Sequence, residues 1–170
     1  MGGRCVGERH HNFDLKTAYA GIKKNSLEGT WLPWRRGPKS SLDDFFAEHG
    51  YMPALHPGEK ETIDRVHPRE RRQAISITEA QSYDDWCTAQ IALSLGNDAD
   101  HQFFLKRAGN YKNLFRQDKG HVWPKDAEGN WIEPFDPGWS GDRADAITRP
   151  KITVILMIGT FNTTCKVCSI

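Results

Sequence analysis

Residues 78–115 read TEAQSYDDWCTAQIALSLGNDADHQFFLKRAGNYKNLF, and the fold turns on this stretch. Ala80, Tyr83, Cys87, Ile91 and Leu95 recur every three or four residues. That spacing predicts a helix from about Thr78 to Leu95 with those residues facing inward, stopped by Gly96. A second helix is predicted from Asn97 or Asp98, with Phe103, Phe104, Ala108, Tyr111, Leu114 and Phe115 at helical spacing. Only about three residues separate the two, which makes them an antiparallel αα-hairpin.

Two more helices precede the hairpin. Asp14 is a good N-cap for a helix with Leu15, Ala18, Tyr19 and Ile22 on one face, ending near Asn25. A shorter helix runs from Leu42 to His49, with Ser41 as its cap, Asp44 three residues on, and Gly50 as its stop. Long connections lie between them. Residues 30–40 hold Trp31, Pro33, Trp34 and Pro38, and residues 51–72 hold Pro53, Pro57, Gly58 and Pro68. Loops of this length inside a compact domain usually carry a site. Past the helical hairpin, Val122 to Asp136 reads as one β-hairpin turning at Asp126–Asn130. The fold class is therefore all-α, with long aromatic loops on one side. This is the pattern of an (α/α) toroid, and four helices cannot close one, so the chain reads as a partial toroid.

Charge is nearly balanced, at +1 over 170 residues, which gives no reason to expect a nucleic-acid partner. Met1 to His11 is polar and charged, without the apolar run of a secretory signal. The one long apolar stretch, Ile152 to Phe161, is about half the ~20 residues a spanning helix needs, so no membrane partner is expected either. Cys87 reads as a small buried hydrophobe, whereas Cys165 and Cys168 form a C-x-x-C with no second Cys or His pair. The seven histidines show no spacing that points to a transition metal.

Trp31, Trp34, Trp123 and Trp131 sit in or beside loops. Exposed rings there suit the C–H face of a sugar, and packing of loop against helix is the equally open alternative. Asp84 and Asp85 point about 100° apart on a helix, so they read as solvated or helix-stabilising carboxylates and not as a catalytic dyad. Glu79 and Tyr83 share a helix face, which reads as a partly buried hydrogen bond.

The order of segments carries a resemblance. Phe13 to Tyr19 followed by Lys23-Lys24-Asn25, then Ile75 to Thr78 running into Ser82-Tyr83-Asp84-Asp85-Trp86-Cys87, resembles glycoside hydrolase family 92. Asn110-Tyr111-Lys112-Asn113-Leu114-Phe115 and Gly129 to Asp136 continue it, so that it covers residues 12–141. The resemblance implies a fragment of the (α/α)6 catalytic domain of a calcium-dependent, inverting exo-α-mannosidase acting on α-linked mannosides of glycans. It implies Ca2+ in full-length relatives, and a periplasmic or secreted parent. An inverting hydrolase needs a protonated carboxyl and a second carboxylate that activates water. The family's acid motif is expected just after the Phe135-Asp136 segment and does not stand there, so no catalytic and no metal residue is assigned in this chain, and none is expected to bind Ca2+.

Residues 151–164, read one nucleotide earlier, permit Glu-Asn-Asn-Ser-Tyr-Thr-Tyr-Asp-Trp-Asn-Val-Gln-His-Asp, which is similar to the family's continuation. The same operation on residues 3–10 also gives a family-like string. Residues 1–11 and 142–170 are accordingly read as out-of-frame tails flanking a catalytic-domain fragment at 12–141. Two other classes stay open at this point. One is a small carbohydrate-binding helical module that uses Trp31, Trp34, Trp123 and Trp131. The other is a redox or metal protein built on Cys165 and Cys168.

Overall fold

A computed structural model describes residues 14–136. The two tail segments, the apolar run at 152–161 and the Cys165–Cys168 pair lie outside the described residues. Among those described there are four α-helices, α1 (Leu15–Glu28), α2 (Ser41–His49), α3 (Ala74–Ser94) and α4 (Asp98–Ala108). A 3₁₀ segment (Gly109–Leu114) and two short strands, β1 (Phe115–Arg116) and β2 (His121–Val122), follow. None of these helices is long and apolar enough to cross a membrane.

Asp14 caps α1 as its sequence position predicts, accepting from the amides of Lys16 at 3.0 Å and Thr17 at 3.3 Å. The helix runs three residues past Asn25, because the Gly29 amide still reaches the Asn25 carbonyl at 3.0 Å. Its buried positions are Tyr19 and Ser26, while Ile22 is 41% exposed and so stands off the inward stripe.

Helix α2 begins one residue before the predicted start. Ser40 is the cap, and its amide and hydroxyl both donate to Asp43 Oδ2, at 2.6 and 2.7 Å. Asp43 also accepts from the Thr30 hydroxyl and the Trp31 amide. Only a carboxylate at position 43, fully buried, can tie the base of the 30–40 loop to the helix in this way.

The largest correction concerns α3. It starts at Ala74, four residues earlier than predicted, and the face turned inward is not the apolar one. Ala80 is exposed and Tyr83 is 40% exposed, whereas Thr78, Gln81, Ser82, Asp85 and Thr88 are buried. The hydroxyls of Thr78, Ser82 and Thr88 donate to carbonyls four residues back, at 2.7 to 2.8 Å. A hydroxyl satisfied by its own helix can be buried at little cost. Ala89 and Ala92, with no exposed area, complete this face without bulk.

The αα-hairpin is present, with Leu95–Asn97 as the link. Its antiparallel sense follows from two contacts, Asp85 with Arg107 and the Ala89 carbonyl with His101 Nδ1, in which partners move in opposite directions along the two helices. Helix α4 ends at Ala108, and the chain then tightens into the 3₁₀ segment. Phe104 and Leu114 are fully buried as expected, but Phe103 and Phe115 are 47% and 37% exposed.

The predicted β-hairpin survives as a turn. Asp126 Oδ1 receives the amides of Glu128 and Asn130, and a single antiparallel bridge joins Lys125 to Trp131. The paired strands lie just upstream, with Phe115 opposite Val122 and Arg116 opposite His121. Arginines staple the long loops together. Arg35 Nε donates to the Arg65 carbonyl at 2.7 Å, and Arg65 Nη1 donates to the Pro38 carbonyl at 2.6 Å. One apolar cluster gathers Leu32, Leu42, Phe46, Met52, Val66 and Ile132, and a second gathers Tyr51, Ile75, Leu114 and Val122.

Gly50 ends α2 at φ 73°, and a Cβ there would lie 2.6 Å from Asn113 Nδ2 and 2.9 Å from Asn110 Oδ1. Gly96 shares that φ but meets no atom within 4 Å. Gly96→Ala should therefore cost only the left-handed penalty, about 1 kcal/mol, and Gly50→Ala at least about 2 kcal/mol. Urea denaturation of the two variants checks the ordering.

Candidate functional site

The residues singled out as sugar platforms fall in two places. Trp31 and Trp34 belong to the 30–40 loop. Trp34 is 79% exposed at φ 60°, its ring turned to solvent on the tip of that loop. Trp31 is half-buried, with its ring centroid 4.6 Å from that of Phe46, and cations lie over it, Lys39 and Arg107 each at 5.5 Å. Its indole N–H is buried without a hydrogen-bond partner.

Trp123 and Trp131 come together on the other side of the Asp126 turn. Arg116 lies 5.2 Å from the Trp123 ring and 5.8 Å from the Trp131 ring, and Lys125 sits 4.3 Å above Trp131. Arg116 is itself held by Asp118 and Glu133. Trp123 is only 6% exposed, donates its N–H to the Ile132 carbonyl at 2.9 Å and packs edge-on against Phe135. It holds the turn in place from within and turns almost no ring surface outward. Trp131, half-buried, keeps part of its surface open.

Behind the 30–40 loop lies a charged cluster that sequence reasoning missed. Arg107 of α4 brings Nε to 3.0 Å from Asp85 Oδ2, an ion pair slightly off the axis of a hydrogen bond. Its Nη2 donates to Ser26 Oγ at 3.3 Å, and Gln81 Nε2 donates to Asp85 Oδ1 at 3.1 Å. Three helices thus meet at one guanidinium, which also faces the rings of Phe103 and Phe104 at 5.5 and 5.6 Å. Burial pushes the Asp85 carboxyl up to about 6, against the opposing pull of Arg107. Asp84, its neighbour, points to solvent as the helical geometry requires. Of the two carboxylates read as solvated or helix-stabilising, Asp84 is the exposed one, whereas Asp85 is buried and paired between helices. The available signal was the Gln81/Asp85 spacing of four, which places amide and carboxylate on one face.

Glu79 is a second correction. It is 5% exposed and both its oxygens lack a hydrogen-bond partner, so the partly buried hydrogen bond expected of it is absent. Burial alone pushes its carboxyl up to about 8. The loops on the other face are tied by His56 Nε2 to Asp126 Oδ2 at 3.1 Å and by the Tyr51 hydroxyl to the Asp126 carbonyl at 3.0 Å. No three His, Cys, Asp or Glu side chains among the described residues come together as a cation cage.

Glu79 binds its proton more tightly when folded than when unfolded. Its contribution to stability is complete below the ordinary value of 4.5 and is lost as pH rises through about 8. Glu79→Gln should behave much like the parent at pH 4. Its relative stability should then rise by about 2–4 kcal/mol by pH 9, measured as urea midpoints across that range.

The profile of the glycosyl hydrolase family 92 catalytic domain matches residues 4–152. No curated protein matches the chain. Among solved structures it is similar to the family GH92 α-mannosidase BT3965 of Bacteroides thetaiotaomicron in complex with mannoimidazole. The two are 27% identical over 76% of this chain and 14% of that one, with a TM-score of 0.57. It is likewise similar to the family GH92 inverting mannosidase BT2199 of the same organism, at 27% identity over 79% of this chain and 16% of that one, with a TM-score of 0.58. The chain thus spans less than a fifth of the length of these solved relatives. The extent of the matched region, together with the helical arrangement it shares with them, shows that this chain belongs to glycosyl hydrolase family 92.

Proposed function

We propose that the chain is a piece of the helical catalytic domain of a calcium-dependent, inverting α-mannosidase that acts on α-linked mannosides of glycans. The observation that carries this reading is the family match across residues 4–152, supported by two mannosidase structures that share the fold of most of the chain. In this reading α1 to α4 are consecutive helices of an (α/α)6 toroid, and the stapled loops lie at its substrate end. Trp34 and Trp131 would lend ring faces to a sugar, with Trp31 and Trp123 behind them. A free-standing sugar-binding module is not favoured, because the match is to a catalytic domain.

Inversion needs one carboxyl that gives up a proton and a second that activates water on the opposite face of the sugar. Three buried carboxyls of the described residues are tied into the structure, and a fourth is unpartnered but closed off. Asp43 holds a loop, Asp85 is paired with Arg107, Asp126 caps a turn, and Glu79 is sealed from solvent. We therefore assign the acid, the base and the calcium ligands to parts of the parent enzyme outside the described residues. What this chain supplies is the rigid wall against which a sugar is positioned.

The expected outcome is no release of mannose from α-linked mannosides by the chain alone, with calcium or with a chelator. Its unfolding midpoint should also be the same in both. Calcium-dependent turnover would overturn the assignment of the catalytic groups elsewhere.

A further inference from the structure

With hydroxyls on its inner face, α3 carries large apolar side chains elsewhere. Tyr83, Trp86, Gln90 and Leu93 follow one another at intervals of three, four and three residues. That is the spacing of a helix seam, which stacks such residues along one stripe. The stripe lies more than about 100° round the helix from Gln81, whose amide bonds to Ser26 of α1. Leu93 is 48% exposed, Tyr83 is exposed almost as far, and Trp86 and Gln90 are half-buried. The rings of Tyr83 and Trp86 stack with centroids 6.2 Å apart. Glu79, the preceding position of the same spacing, is buried, so the open stripe begins at Tyr83. From there to Leu93 it extends about 15 Å along the helix.

A second copy of the chain fits this stripe. Position 88 is the midpoint both of Tyr83 and Leu93 and of Trp86 and Gln90. A two-fold axis there, with the helices antiparallel, sets each Tyr83 against Leu93 of the other copy and each Trp86 against its Gln90. A bulky ring then meets a shorter side chain at every layer, as close packing favours. A parallel pair would instead set Trp86 on Trp86 and Gln90 on Gln90. The positions that flank the seam, Ser82, Cys87, Ala89 and Ser94, carry no charge. They neither repel a copy nor select a charged partner, and a net charge of +1 adds little repulsion over the whole chain.

We propose that this stripe is a homodimer contact, in which α3 of two copies packs antiparallel about a two-fold axis near position 88. Four side chains from each copy fall well short of the ~800 Å² per partner of a standard interface, so the dimer is weak, with a Kd of about 0.1 mM. The contact is independent of the mannosidase reading.

Sedimentation of the full 170-residue chain, from about 10 µM to about 1 mM, tests it. The average mass should rise from that of the monomer towards that of the dimer. Tyr83→Lys and Leu93→Glu alter exposed side chains, so each should weaken the dimer about tenfold or more with an unchanged helical spectrum. Trp34→Glu, at the most exposed apolar side chain outside the seam, should leave the Kd unchanged. The double variant Tyr83→Lys/Leu93→Glu should recover most of the lost affinity, because only an antiparallel pair sets each lysine against a glutamate. Monomers at every concentration overturn the proposal, as do assemblies larger than a dimer. A dimer that Leu93→Glu spares, or that Trp34→Glu abolishes, overturns it as well. A double variant that associates more weakly than either single one overturns the antiparallel arrangement.

Discussion

The guanidinium of Arg107 is the point on which the described structure depends. It pairs with Asp85 of α3, receives support from Ser26 of α1, and lies under Trp31 of the 30–40 loop. A buried ion pair is weak evidence of net stability, since desolvation offsets most of its attraction. Breaking one is a different matter, because the remaining charge is stranded at a cost of about 3–5 kcal/mol. The pair therefore fixes how α1, α3 and α4 sit against one another more than it deepens the folded state. Asp43 does the same for the 30–40 loop and α2, gathering two amides and two hydroxyls on one buried carboxylate.

Much of the helical framework was legible because it rests on local chemistry. Asp14, Gly50 and Gly96 mark helix ends through hydrogen bonds and backbone freedom that need no distant partner. The Asp126 turn is legible for the same reason. The face of α3 was not. Periodicity assumes that apolar residues turn inward, whereas here the interior accepts hydroxyls that satisfy themselves and a carboxylate paired with a residue 22 positions away. The choice of Asp43 over Asp44 depended likewise on Thr30 and Trp31, which only the folded chain brings near. Of the four tryptophans, residue type alone could not separate Trp34, at 79% exposed, from Trp123, whose N–H is used inside the turn.

Family membership and structure divide the functional question cleanly. The chain belongs to glycosyl hydrolase family 92 and spans 14% and 16% of two solved mannosidases. Asp43, Asp85 and Asp126 are committed to structure, and exposed aromatic and charged side chains lie on loops held by arginine–carbonyl bonds. Loops fastened in this way can present side chains at fixed positions without lying inside regular structure.

Arg107 finds its partner Asp85 only because the polar face of α3 turns inward, and thiol labelling tests that orientation directly. With the native cysteines replaced by serine, one cysteine is placed at Ala80 or at Ser82, which is 1% exposed. The structure predicts rapid maleimide labelling at position 80 and protection at position 82 until the chain unfolds. Rapid labelling at 82 with protection at 80 would mean that the apolar stripe faces inward after all, and would contradict the account.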